Sequence, residues 1–268
     1  EEVHWQPTEE GGVLNNDFYG GNFKGIIEKM DYIASLGVDI IYLNPISKSF
    51  SNHRYDTGDY KEVDPMLGTK EDFTALCEAA HAKGIKVVLD GVYSHTGSNS
   101  RYFNREKTFD EEGAYNSQTS PYYGWYTFHN WPNQYNSWWG FDTLPTVDKM
   151  NPDFIDYIIT AQDSVLAHWL KLGADGFRLD VVDELPDSFV STLKKHLRKL
   201  KPDALLIGEV WEDASNKIAY GIRRRYFTDG QLDSVMNYPF RTAILDFIRG
   251  KDDGRQLKET VITIVNVI

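Results

Sequence analysis

GFRLDVVDE (residues 176–184) reads as a short apolar run that stops on an acid, and LIGEVWED (residues 206–213) repeats the arrangement further along. Neither run alternates cleanly between apolar and polar positions, which is the habit of a strand buried on both faces. Asp180 closes the first run and Glu209 closes the second. In a barrel of alternating strands and helices, the C-terminal strand ends open onto one face, where sites are built. Two carboxylates on neighbouring strand ends then face each other across a cleft. That layout suits breaking a glycosidic bond with one nucleophile and one proton donor. The alternative is that both acids cap helices, since Asp and Glu are favoured at helix N-termini.

The rest of the chain supplies the alternation that a barrel needs. FKGIIEKMDYIASLG (residues 23–37) is an amphipathic helix ended by Gly37, and the strand-like VDIIYLNP follows it. KEDFTALCEAAHAKG (residues 70–84) repeats the pattern ahead of IKVVLDGVYSH. From about residue 97 to 151 the regularity breaks into a stretch rich in Asn, Ser, Gly, Pro and aromatics, read as an irregular inserted subdomain. NPDFIDYIITAQDSVLAHWLKLG (residues 151–173) restores a helical pattern, followed by a strand, the helix LPDSFVSTLKKHLRKLKP, and the strand DALLIGEV. LDSVMNYP, FRTAILDFIRG and a final amphipathic segment complete the chain. Strands are expected at residues 38–43, 85–90, 175–180, 204–209 and 232–236. Such alternation means parallel strands with right-handed crossovers.

The alternation gives an α/β fold with parallel strands. Set against the family that the motifs quoted below resemble, it is a (β/α)8 barrel that looks incomplete, with an irregular subdomain inserted after its third strand. One strand falls before Glu1 and two after Ile268. The expected division is 1–96 for the first part of the barrel, 97–151 for the insertion and 152–268 for its continuation. Read this way, the sequence is an excerpt of a longer domain, with unpaired edges and no activity by itself.

A net charge of −12 argues against nucleic acid or an anionic membrane as partner. No apolar run reaches the length of a membrane span. The single cysteine, Cys77, lies in a helical pattern and reads as a small buried residue. The outlier is aromatic content, 14% of residues, concentrated between Tyr93 and Phe141. Most of these rings suit the core of a loop-rich insertion. Trp131, Trp138 and Trp139 are candidates to line a groove, because flat rings offer apolar faces to the C–H faces of sugars.

DGVYSH (residues 90–95), GFRLD (176–180) and EVW (209–211) resemble the first three signature regions of the α-amylase superfamily, in its order and spacing around an inserted subdomain. LPTVDKMNP (144–152) resembles the further signature near the end of that subdomain. SNHRYDTGDY, DFYGGNFKGI, GEVWEDASNKI and DSVMNYPF are similar to the neopullulanase and amylopullulanase branch. The resemblance covers roughly residues 16–247. It implies a retaining hydrolase of α-glucans such as starch, pullulan, cyclodextrin or maltooligosaccharides, with no organic cofactor. A non-catalytic, glucan-binding or transporter-associated relative is the alternative.

The resemblance assigns the attack on the anomeric carbon to Asp180 and the proton transfers to Glu209. Arg178, two residues before Asp180 on a strand, points the same way and is expected to keep that carboxylate ionised and oriented. It further implies a sugar contact for His95, a supporting role for Asp90 and a stacking platform for Tyr55, with Trp211 in the substrate-binding set. Asp183 and Glu184 border the leaving-group side or, alternatively, charge the start of the next helix. The family's Asn before the histidine is Ser94 here, a weaker calcium ligand. Calcium stays an option through Gly20 and Asn22, where the branch has a GGD motif. The family's third acid, in a His-Asp pair, does not occur after Glu209; Asp229, Asp233 and Asp246 are the remaining candidates.

Overall fold

The computed structural model describes residues 18 and 20–267, with side chains to residue 261. Its centre is a five-stranded, all-parallel sheet: β1 (Ile40–Leu43), β2 (Lys86–Gly91), β3 (Gly176–Leu179), β4 (Leu205–Gly208) and β5 (Ser234–Val235). The strands pair in sequence order, so each helix crosses over to the next strand and the sheet curves as a half-barrel. All five expected strands form; four are trimmed, and the second shifts by one residue to Lys86–Gly91. The fifth shrinks most, to two residues.

The apolar runs behave as both-face-buried strands. β3 is buried throughout, and Val87, Val88 and Leu89 of β2 are sealed from solvent. Gly176 starts β3 where a Cβ would sit 2.1 Å from the Leu205 carbonyl oxygen, so only glycine lets the two backbones pair there. The helices Lys70–His81 and Asp187–Leu200 bury Phe73, Leu76, Phe189, Val190, Leu193 and Leu197 against the sheet. A reciprocal capping box joins Thr69 and Asp72 at the start of the first, satisfying two of its orphan N–H groups.

One helical stretch departs from expectation. The stretch from 151 to 173 is not a single helix: Pro152–Ile155 passes into a π-turn over Asp156–Thr160, then breaks, and Val165–Lys171 starts afresh. Ser164, fully buried, accepts from Ala167 N–H and caps the new start, so a local hydrogen bond outcompetes helix continuation. The helix Phe23–Glu28 likewise turns at Lys29 before Met30–Ser35.

Between β2 and Pro152 the chain makes no barrel strand. It is held by an aromatic cluster around Tyr102, Phe103, Trp125 and Tyr126, with ring centroids 4.7–6.4 Å apart. Single bridges within this segment tie His95 to Thr146, Tyr126 to Val147 and Ser137 to Pro145. No helix among the described residues is long and apolar enough to cross a membrane.

Candidate active site

The C-terminal ends of β2, β3 and β4 converge on one guanidinium. In the parallel register Asp90 pairs with Arg178, so both side chains leave the sheet on the same side. Arg178 Nη1 donates to both Asp90 oxygens at 2.8 and 2.9 Å and to Asp180 Oδ1 at 2.8 Å. Its Nη2 reaches Glu209 Oε2 at 2.8 Å. Its Nε meets Met236 Sδ at 3.3 Å, and its head lies 5.6 Å from the Tyr42 ring. Asp180 and Glu209 thus hang from adjacent nitrogens of a planar group that is 4% exposed. Arg178 is the hub of the site.

Backbone geometry sets the two acids. After β3 ends, Asp180 N–H bonds Gly91 O at 3.1 Å, and Glu209 N–H bonds Leu179 O at 3.0 Å. Val181 then adopts a left-handed conformation, φ 39°, unusual for a β-branched residue and a mark of stored strain. The turn delivers its N–H to Glu209 Oε2 at 2.9 Å, while Trp211 Nε1 donates to Oε1 at 3.0 Å. Glu209 is therefore fixed through both oxygens.

Three carboxylates share one cation here, and the balance shows in the proton affinities of Asp180 and Asp90. Burial, with the Asp90 and Glu209 charges adding to it against the pull of Arg178, pushes Asp180 up to about 7. Asp90, fully buried, is also raised, chiefly by desolvation. Arg178 both orients Asp180 and draws it toward the ionised form, while burial and the Asp90 and Glu209 charges act the other way. Tyr42 and Tyr55 donate to Asp90 Oδ2 at 2.5 and 3.0 Å, so Asp90 supports the site from below.

His95 is 2% exposed, and burial lowers its pKa to about 4. Its Nε2 faces the Tyr55 carbonyl at 3.0 Å and therefore carries the proton, leaving Nδ1 to accept from Ser94 Oγ at 3.0 Å. Any ligand that uses this N–H has to displace that carbonyl. Ser94, in the position the family gives to Asn, is thereby engaged in fixing a tautomer.

These groups open into a cleft of about 930 Å³, lined among others by Tyr55, His95, Asp180, Glu209, Trp138 and Trp211. Such a volume is in the range of ligand-binding clefts. A second hollow of about 240 Å³ continues past Val181, Glu209 and Trp211 to Asp183 and Glu184. Asp183 accepts from Tyr226 Oη at 2.5 Å and pairs with Lys217 at 3.2 Å, a structural anchor. Asp183 and Glu184 both lie in the single 3₁₀ turn Val182–Glu184, ahead of the helix Asp187–Leu200, whose first turn carries Asp187. Trp131 turns away, its Nε1 bonded to Ala114 O. Sequence reading missed Tyr42 and Met236, whose partners are remote in sequence.

Asn22 accepts from Gly25 N–H at 2.9 Å as the cap of a helix, and Gly20 is exposed. Asp17 and Tyr19 of the same motif lie outside the described residues. Among the described residues no group of three His, Cys, Asp or Glu side chains gathers as a metal site. Of the spare acids, Asp233 lies at the opposite strand end, holding Leu206 N–H at 2.8 Å, and neither Asp229 nor Asp246 lines the cleft.

Known proteins resemble this chain over nearly its whole length. The family described as the α-amylase catalytic domain matches residues 5–266. An amylopullulanase of Thermoanaerobacterium saccharolyticum is 42% identical over 91% of this chain, which spans 20% of that protein. A cyclomaltodextrinase of Thermoanaerobacter pseudethanolicus is 35% identical over 92% of the chain and 41% of its own length. Among solved structures, the ligand-free cyclic α-maltosyl-(1→6)-maltose hydrolase of Arthrobacter globiformis superposes with a TM-score of 0.81 at 29% identity, covering 95% of this chain and 55% of that one. The chain therefore spans well under half the length of these curated relatives. With this match and the shared fold, the chain belongs to the α-amylase catalytic-domain family.

Proposed function

We propose that this chain carries the cleavage centre of an enzyme that hydrolyses α-glucans with retention of configuration at the anomeric carbon. The observation that supports it most is Asp180 and Glu209 held by adjacent nitrogens of one buried guanidinium at the floor of an open cleft. A retaining pair stands about 5–5.5 Å apart, and a shared guanidinium favours a close pair over the wider spacing of inverting enzymes. A non-catalytic relative leaves that arrangement without a task.

In the first step Asp180 attacks the anomeric carbon as the glycosidic C–O bond breaks, and Glu209 passes its proton to the departing oxygen. In the second, Glu209 takes a proton from water, the water oxygen attacks the same carbon, and the bond to Asp180 breaks. In the resting site burial raises the proton affinity of Asp180, to a pKa of about 7. Catalysis needs the proton on Glu209, with Asp180 ionised. The names of the amylopullulanase, neopullulanase and cyclomaltodextrinase relatives point to starch-type polymers, pullulan and cyclodextrins as the substrates to test.

In the full-length protein, Asp180→Asn should lower turnover of every such substrate by at least about a thousandfold. Glu209→Gln should cost about 10²–10⁴-fold on glucans yet leave the first step on an activated aryl maltoside nearly intact, because that leaving group needs little protonation. Burst kinetics on both substrates measure this. Equal losses on the two would remove Glu209 from the role of acid.

A further inference from the structure

Two histidines hold Tyr55 by its backbone, one at each polar group. Its N–H donates to His53 Nδ1 at 3.1 Å, and its carbonyl accepts from His95 Nε2 at 3.0 Å. A peptide N–H can only donate, so Nδ1 of His53 is the bare nitrogen and Nε2 carries the proton. Among the described residues, both hydrogen-bonding contacts of the His53 ring, to Ser51 Oγ and to Tyr55 N–H, fall on Nδ1. The ring is exposed and stacks on the Tyr55 ring, with centroids 6.0 Å apart and planes at 28°. It lines the main cleft and takes no part in the smaller hollow beyond Glu209.

The loop that carries His53 is closed on itself. Asp56 accepts from Phe50 N–H at 3.1 Å and from the Ser51 hydroxyl. With its proton on Asp56, Ser51 Oγ accepts from Arg54 N–H at 3.1 Å and leaves His53 Nδ1 open to Tyr55. Arg54 takes a left-handed φ of 62°, uncommon outside glycine, and the surrounding contacts hold it there. Its side chain pairs with the buried Asp64 at 3.1 Å and donates to the Asn52 carbonyl at 3.1 Å. That turn brings residues 53 and 55 face to face. At its far end Tyr55 donates from Oη to Asp90, which shares the Arg178 guanidinium with Asp180. The Tyr55 ring therefore joins His53 to the surroundings of the nucleophile.

We propose that His53 is a substrate-binding residue whose Nε2–H donates to an oxygen of the glucan on the retained side of the cleavage point, the part that Asp180 takes up. The role rests on the glycosidase reading above and adds a donor to it. His95 commits its own Nε2–H to the Tyr55 carbonyl, so the exposed histidine is the one of the two with a proton to offer. The ligand is an α-glucan unit lying on the Tyr55 ring, within reach of the edge of the neighbouring imidazole. Through Nδ1 the same side chain is a positioning residue for Tyr55.

Two variants of the full-length protein separate binding from positioning. His53→Asn keeps a side-chain oxygen that can accept from Tyr55 N–H but removes the outer donor, whereas His53→Gln extends an N–H donor toward the place of Nε2. The sugars of 4-nitrophenyl maltoside all lie on the retained side, and on this substrate His53→Asn should raise KM about fivefold, as for one lost hydrogen bond. Its kcat should fall by less than about twofold, the signature of lost uniform binding. Maltohexaose, which fills the same side, should show a similar factor, and His53→Gln should lose less than His53→Asn on both. A parent-like KM in His53→Asn, a loss confined to kcat, or the reverse order of the two variants would overturn the binding role. A parent that turns over neither substrate would overturn the glycosidase reading instead. Titration calorimetry with maltohexaose then decides His53 alone: an affinity about fivefold weaker in His53→Asn sustains it, and equal affinities overturn it.

Discussion

At the scale of the residue, the site is an argument between one cation and three acids. Arg178 donates to Asp90, Asp180 and Glu209 alike, and no second cation bonds them among the described residues. Because the folded pKa of Asp180, about 7, lies above the ordinary carboxylate value of 3.8, the folded protein holds that proton more tightly than the unfolded chain. The contribution to stability is therefore complete below about pH 4 and is lost as pH rises through 7. Asp180→Asn keeps the shape and cannot ionise, so its stability relative to the parent should climb steadily between those limits. Melting temperatures of both proteins from pH 4.5 to 8 measure the difference; a constant offset across the range would remove Asp180 as the group that holds the proton. The acid itself was visible in the sequence as the residue that ends an apolar run. Its proton affinity was not, because that depends on Asp90 and Glu209, which other strands supply.

At the scale of the element, the strands are indexed by acids at their starts as well as at their ends. Asp175, at the foot of β3, accepts from Val87 N–H at 2.8 Å, from Lys201 Nζ at 2.5 Å and contacts His81 Nε2 at 2.7 Å. Asp233, at the foot of β5, repeats the device with Leu206 N–H and the cations Lys194 and Arg198. Each acid ties its own strand to the start of the neighbouring one, which fixes register between parallel strands whose apolar faces would tolerate slippage. Asp175→Ala strands the buried Val87 N–H and should cost about 1–3 kcal/mol, read as a lowered urea midpoint. Cleft chemistry at the far strand ends should be unchanged once the protein is folded. A shift below about 0.5 kcal/mol, the range of ordinary surface substitutions, would mean that register is set by packing alone.

At the scale of the whole molecule, the cleft lies along a seam between the half-barrel and the inserted segment, and His95 sits in that seam. Its own residue bridges Thr146, and Val147 N–H returns to Ser94 O at 3.1 Å. Burial lowers His95 to about 4, below the ordinary 6.5, so the folded state binds that proton less readily than the unfolded chain. Stability should fall as pH drops from 6.5 through 4, and His95→Gln should flatten that decline, as chemical denaturation at several pH values will reveal; an unaltered slope would place the acid sensitivity elsewhere. The sequence by itself determined the alternation, the parallel sheet, the pair Asp180 and Glu209 and the irregular insertion, because these follow from local periodicity and from acids ending apolar runs. The tertiary structure alone decided that Arg178 serves three acids, that Tyr42 and Met236 complete its surroundings, that the stretch from 151 to 173 breaks, and that Trp139 and Tyr220 meet on Glu184. Those contacts join residues dozens of positions apart, and no local pattern records which distant neighbour the sheet register will bring alongside.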